Sequence, residues 1–350
     1  MTEDASPENL RKFLESDDPA MIGMGLSMAK GSGDASREVL GMILGLYMFH
    51  DDKNIRALSK TAFTKLAPSD SKEIVRKYWQ AEYRNQSWVW ENGWMGNMVL
   101  EINEAGINPV YILAGALGTK DHVIQAQVIK ILEKIESLDE STTVVMDALV
   151  RMISANTSGR NYWKSDFTNE IAAIGIIERI GGEQALEALI EMLDKDYRLT
   201  GTVANALGVL GDVGAVEPLI GQLSDNRKAE AIAKALGILG DVRAVDPLIG
   251  AIEVIFSNSG YHNRNNCTEF AKALGKLGDI RAIEPLVKGL DLQNRSGEER
   301  NSITDSISLL LEGLEINVKE IKNLNRFLTG QDPGMRTMGL SMLKGILKDA

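Results

Sequence analysis

Apolar residues recur along this chain at helical spacing, and between about residues 170 and 290 they do so in register from one copy to the next. Val203, Leu207 and Leu210 fall on one face, as do Ile232, Leu236 and Leu239, and Phe270, Leu274 and Leu277; the i, i+4, i+7 spacing is that of an amphipathic helix. A second set follows each of these. Val216, Leu219, Ile220 and Leu223 are matched by Val245, Leu248, Ile249 and Ile252, by Ile283, Leu286, Val287 and Leu290, and by Leu186, Leu189, Ile190 and Leu193. Between the two sets stand Gly211-Asp212, Gly240-Asp241 and Gly278-Asp279. Glycine there suits a left-handed helix end, and the aspartate can accept the free N–H groups that open the next helix. Pro218, Pro247 and Pro285 lie near that second start, where a missing N–H costs least.

The copies are alike residue by residue. Ala204-Asn-Ala-Leu-Gly-Val-Leu-Gly-Asp-Val-Gly-Ala-Val-Glu-Pro-Leu-Ile returns from Ala233 and again from Ala271, and a degenerate copy runs from Ile171 to Leu193. The glycines at 181, 211, 240 and 278 are 30, 29 and 38 residues apart, the last step carrying an insertion. The pattern Leu-Gly-Asp-x-Arg-Ala-x-x-Pro-Leu resembles the short HEAT-like repeat of the phycobilisome-lyase type, specifically over residues 171 to 290. The resemblance implies an all-α fold, an α-solenoid of stacked helical hairpins without β-sheet. At roughly 30 residues per hairpin, about ten hairpins are expected in one continuous array over residues 1–350. Divergent repeats occupy 7–153, the clear ones 167–290 and C-terminal helices 298–350. In the divergent part, Asp52 to Pro68 reads as a first helix followed by Ser71 to Tyr83, and Asp121 to Glu136 as a first helix followed by Ser141 to Ile153.

The two ends resemble each other. Leu10 to Gly31 and Leu324 to Gly345 align without gaps with 13 of 22 positions identical, including Asp18-Pro19 and Asp332-Pro333, each an N-cap followed by a proline suited to the first turn. Met335, Met338, Leu340, Met342, Leu343, Ile346 and Leu347 spread over about 200° of the C-terminal helix, wider than one packing partner needs. A terminal repeat with an apolar outer face is expected to be covered, so Met335, Met338, Met342 and Ile346 are candidates for self-association or for capping by a partner. Core filling is the plainer use of these methionines.

Three insertions interrupt the helical pattern, and all three are read as following a second helix and preceding the next first helix, on one shared edge. The first holds Trp88, Trp90 and Trp94; the second Arg160, Tyr162 and Trp163; the third Tyr261, His262 and Arg264. Long loops on a rigid scaffold concentrate binding residues, and Trp, Tyr and Arg dominate interface hot spots. These nine residues are therefore the candidate binding set. The alternative is that the tryptophans fold back under their own loop.

Composition narrows the chemistry. The 350 residues are 44% hydrophobic and 25% charged, which excludes intrinsic disorder. Lys and Arg number 38 against 49 Asp and Glu, a net charge of −11, which weighs against nonspecific binding to nucleic-acid phosphates. Cys267 is the sole cysteine, so no intrachain disulfide forms and a cytoplasmic location is expected. The opening Met1 to Ala20 has no basic region followed by an apolar one, so no secretory leader is expected. The longest apolar run, Val39 to Phe49, has 11 residues where a membrane span needs about 20, so it reads as a buried helix. Three histidines, His50, His122 and His262, are scattered, and no zinc-like Cys/His cluster exists. Asp51 and Asp52 beside His50 read as helix capping rather than as a base's partners. The HEAT-repeat deoxyhypusine hydroxylases are similar in architecture, but their iron site uses His-Glu dipeptides; here Asp51, Val123 and Asn263 follow the histidines. No catalytic residue, metal or cofactor is expected.

The resemblance implies a noncatalytic scaffold that binds a protein partner through its concave face and the aromatic loop edge, with no membrane contact. Two alternatives stand beside it. One is a bilin-lyase-like enzyme or chaperone for a flat aromatic ligand. The other is nucleic-acid recognition in the manner of HEAT-like DNA glycosylases, using tryptophan stacking with Arg160 or Arg264.

Overall fold

The computed structural model describes residues 7–78, 94–135, 142–157, 167–225, 227–257, 267–290, 296–312, 337–343 and 345; among these the chain is helical with short 3₁₀ turns and has no strand. The architecture is the all-α solenoid type that the resemblance implies. The chain divides into two compact units, residues 1–180 and 181–350.

In the first unit the helices are α1 (Pro7–Leu14), α2 (Pro19–Ser32), α3 (Arg37–Phe49), α4 (Lys53–Leu66), α5 (Ser69–Tyr78), α6 (Trp94–Glu104), α7 (Val110–Leu117), α8 (His122–Leu132), α9 (Thr142–Thr157) and α10 (Thr168–Ile180). The second unit holds α11 (Gly182–Met192), α12 (Thr200–Leu210), α13 (Val216–Gln222), α14 (Ala229–Leu239), α15 (Val245–Ser257), α16 (Thr268–Leu277), α17 (Ile283–Leu290) and α18 (Gly297–Glu312), followed by a helical stretch at 337–343.

The second unit follows the sequence reading closely. Helices α12, α14, α16 and α18 stack one on the next as a first row, and α15 and α17 pack together in the second. Gly211, Gly240 and Gly278 end their helices in the left-handed conformation, with φ of 73°, 71° and 74°. The aspartate that follows caps a 3₁₀ turn rather than the second α-helix itself: Asp212 accepts from the Gly214 N–H at 2.8 Å, and Asp241 and Asp279 do the same for Arg243 and Arg281 at 2.9 Å. Another glycine of the motif sets how closely the first row stacks. A Cβ on Gly237 would lie 2.7 Å from the Ala273 Cα, and one on Gly275 3.0 Å from the Ser306 Cα. Arginine staples then tie one turn to the turn before it. Arg243 bonds Asp241 of its own turn and reaches Glu217 at 3.3 Å and the Val213 carbonyl at 3.2 Å; Arg281 bonds Asp279 and reaches Asp246 at 2.6 Å.

In the first unit α1, α3, α7 and α9 form the successive members of one row. The apolar run Val39 to Phe49 is α3, buried as expected, and its Gly41 and Gly45 face α7 so closely that a Cβ would meet the carbonyl oxygens of Asn108 and Tyr111, the latter at 2.6 Å. Helix order differs here from the sequence reading. Helix α4 packs on α2 and α3 as the second helix after α3, and α5 packs against α6. Helix α8 is likewise the second helix after α7, and α9 opens the next pair. Helix α10 runs alongside α8 with like ends together: the Asn169 amide donates to the His122 carbonyl at 2.9 Å, and Arg179 donates to the Leu132 and Glu133 carbonyls at 2.6 and 2.7 Å. The degenerate copy Ile171 to Leu193 spans α10 and α11, which lie on either side of the division between the two units. An aspartate N-cap marks where a helix starts but not which row it joins, which is why the phase was not legible.

The insertions are affected. Residues 258–266 join second-row α15 to first-row α16, as expected. Residues 158–166 instead join α9 to α10 within a pair, and 79–93 join α5 and α6, which pack on each other.

Candidate functional site

The row α1, α3, α7, α9 borders a groove of about 630 Å³ in the first unit. Its apolar floor comes from residues that are helical for packing reasons, among them Ile22, Met42, Phe49 and Met152, with Leu46, Ala114 and Gly115 half-exposed to it. Gly45 and Gly115 meet where α3 and α7 approach most closely. Side chains there would fill the floor.

Polar groups reach the groove from helix ends. Gln125, 1% exposed, donates to the Leu117 carbonyl at 3.2 Å and the Thr119 carbonyl at 2.7 Å and accepts from the Asn156 amide at 3.0 Å. One buried amide thus satisfies the carbonyls left over at the end of α7 and ties that end to α9. His50 Nδ1 accepts from the Asp52 N–H at 3.0 Å, which places the proton of the neutral ring on Nε2. Asp52 accepts from the Asn54 N–H at 2.6 Å, and this fits the capping reading of the Asp51-Asp52 pair. Burial, opposed by Arg11, pushes the Tyr111 phenol up, so it lines the groove as a protonated donor.

Charge is distributed unevenly along the row. At the α1 end stand Glu15, paired with Arg11 at 3.1 Å, and Asp17, which is exposed and has no partner among the described residues. At the α7–α9 end stand Lys120, His122 and Arg151, all exposed. Lys120 lies 3.9 Å from Asp51, whereas the exposed Arg151 guanidinium has neither hydrogen bond nor ion pair among the described residues. Among the described residues no group of three or more His, Cys, Asp or Glu side chains is placed to hold a metal ion.

Of the sequence candidates, Trp88, Trp90, Arg160, Tyr162, Trp163, Tyr261, His262 and Arg264 lie outside the described residues. Trp94 opens α6, and only its backbone is described. Met335 and Ile346 also lie outside. Met338 is 55% exposed and Met342 half-buried, matching Met24 and Met28 of the N-terminal copy, while the equivalent leucines Leu26 and Leu340 are both buried. The two duplicated segments therefore face the same way in their respective units. The groove itself was missed by the sequence reading. The one signal for it was Gly41-x-x-x-Gly45 inside an apolar run, a spacing that puts two side-chain-free positions on one helix face.

Residues 229–253 and 268–291 match the family model described as PBS lyase HEAT-like repeat. They are the pairs α14–α15 and α16–α17, so the resemblance read from the motif is shown at these two places. The copy over α12 and α13 and the degenerate one from Ile171 lie outside the match. No curated protein matches the sequence. Among the described residues no helix is long and apolar enough to cross a membrane.

Proposed function

We propose that this chain, carrying PBS lyase HEAT-like repeats, is a noncatalytic scaffold that binds a protein partner in the groove along α1, α3, α7 and α9. The observation that carries the reading is the groove's make-up: a half-exposed apolar floor between the open carboxylate of Asp17, in the turn after α1, and the open guanidinium of Arg151, within α9. Apolar surface supplies affinity and peripheral charge supplies orientation. The insertions with Trp88, Trp90, Trp94, Arg160, Tyr162, Trp163, Tyr261, His262 and Arg264 are assigned further partner contacts, and the Met338 face self-association, which light scattering on the purified chain reports. A cytoplasmic location belongs to the same proposal.

The test is site-specific crosslinking in the native host. With p-benzoyl-L-phenylalanine in place of Lys120, exposed at the groove's rim, one protein is captured repeatedly; in place of Thr61, exposed on α4, it is not. Equal capture at both positions, or none at either, refutes the reading. Incubation with a bilin leaves the scaffold colourless. A covalent coloured adduct instead supports the lyase-like alternative suggested by the repeat type.

A further inference from the structure

Resting on the reading just proposed, we infer that the groove takes an extended peptide segment of about eight residues, basic at the end that lies on α1, apolar in the middle and acidic at the end that lies on α9. Three observations carry this.

The first is length. The row runs α1, α3, α7, α9, and three steps between packed helix axes about 9 Å apart make about 27 Å. An extended chain rising about 3.3 Å per residue covers that distance in about eight residues, whereas a helix rising about 1.5 Å per residue and laid across the row would need about eighteen.

The second is charge. Asp17 and Arg151 line opposite ends of the same groove, both exposed and neither engaged by any other side chain among the described residues. Glu15 and Lys120 beside them are paired within the protein, with Arg11 and Asp51, which leaves Asp17 and Arg151 as the open charges of the groove. Elsewhere in the protein, arginines are characteristically engaged. Arg11, Arg179, Arg243 and Arg281 each bond a carboxylate or a helix-end carbonyl. An arginine left open at a groove suits a partner's carboxylate, which its planar fork can bind bidentately.

The third is the middle. Leu46, Ala114 and Gly115 are half-exposed between the charged ends, and the lining's Asp51 and Lys120 pair with each other at 3.9 Å. Charge placed over them would lose its solvation without gaining a partner. The segment's central residues are therefore apolar.

The test is selection from a randomised octapeptide library displayed on phage, with the full chain immobilised. Wild-type protein should enrich peptides with acidic residues towards one end, basic residues towards the other and apolar residues between. Arg151→Glu should replace the acidic preference with a basic one, and Asp17→Lys should replace the basic preference with an acidic one, with at least tenfold loss of the wild-type peptides in each case. Both residues are exposed and unpaired, so thermal melting should stay unchanged and separate these effects from misfolding. Ala155→Trp, which narrows the groove, should remove the enrichment. Selection of uncharged peptides that Ala155→Trp abolishes would overturn the charge assignment yet leave partner binding at the groove standing. Enrichment that survives Ala155→Trp, or charge preferences that the two reversals leave unaltered, would overturn the inference, and the crosslinking from position 120 then decides separately whether any partner occupies this face.

Discussion

Two glycine-to-alanine substitutions, thirteen residues apart, should shift stability in opposite directions. Gly237 sits in α14 against α16, where an added Cβ would lie 2.7 Å from the Ala273 Cα and 2.8 Å from its Cβ. Ordinary contact begins at about 3.5 Å, so the two helices must separate by somewhat under 1 Å, and overpacking of this kind costs about 1–3 kcal/mol. Alanine's advantage over glycine in a helix interior returns about 1 kcal/mol, leaving a net loss of roughly 0–2 kcal/mol. Gly250 is interior to α15, is exposed and has nothing within 4 Å of its Cβ position, so the same replacement there keeps only the gain. For a unit of this size about 1 kcal/mol corresponds to about 2–4 °C in Tm. Circular dichroism melts should therefore place Gly237→Ala at or below the wild type by up to about 8 °C and Gly250→Ala above it by about 2–4 °C. If Gly237→Ala rises as far as Gly250→Ala, the close stacking of first-row helices is refuted.

Acid should loosen the turn staples. Hydrogen bonds from the Arg243 side chain and its backbone N–H hold the Asp241 carboxyl at about 2, below its ordinary 3.8. A depressed carboxylate stabilises the fold above its unfolded value and loses that contribution as pH falls through the folded one. The Tm difference between wild type and Asp241→Asn should be constant above about pH 5, shrink between about pH 4 and 2 and vanish below; a difference that persists at pH 1.5 contradicts the assignment. Gln125→Met, which keeps the volume but strands the carbonyls of Leu117 and Thr119 and the Asn156 amide, should cost about 1–3 kcal/mol in denaturant unfolding and weaken library peptides as well. Unaltered stability would mean that those groups find other partners.

What the sequence made legible depended on how local the controlling interactions are. In the second unit each helix end is written within a few residues: Gly240 supplies the left-handed cap, Asp241 the next acceptor and Val245, Leu248 and Ile252 the buried face, so the hairpins could be read directly. The 3₁₀ turn between them was not separable from the helix it introduces, because Asp-capped starts of both kinds look alike in sequence. In the first unit, Asp52 and Asp121 were correctly read as helix starts, but the row each helix joins is decided by contacts far along the chain. Arg179 bonding the end of α8, 46 and 47 residues away, is such a contact. The groove was hidden for the same reason. Asp17, His50, Tyr111 and Arg151 come from separate places along more than a hundred residues, and only the stacking of α1, α3, α7 and α9 brings them to one surface.

Methionine methyl resonances offer the most direct view of where a partner segment sits. Met42 and Met152 line the groove, Met98 lies in α6 away from it and Met192 belongs to the second unit. Titrating methyl-labelled protein with a library-selected octapeptide should shift Met42 and Met152 in proportion to occupancy and leave Met98 and Met192 in place, and Arg151→Glu should abolish the shifts for that peptide. Shifts confined to Met192, or binding that moves neither Met42 nor Met152, would contradict the assignment of partner recognition to the groove.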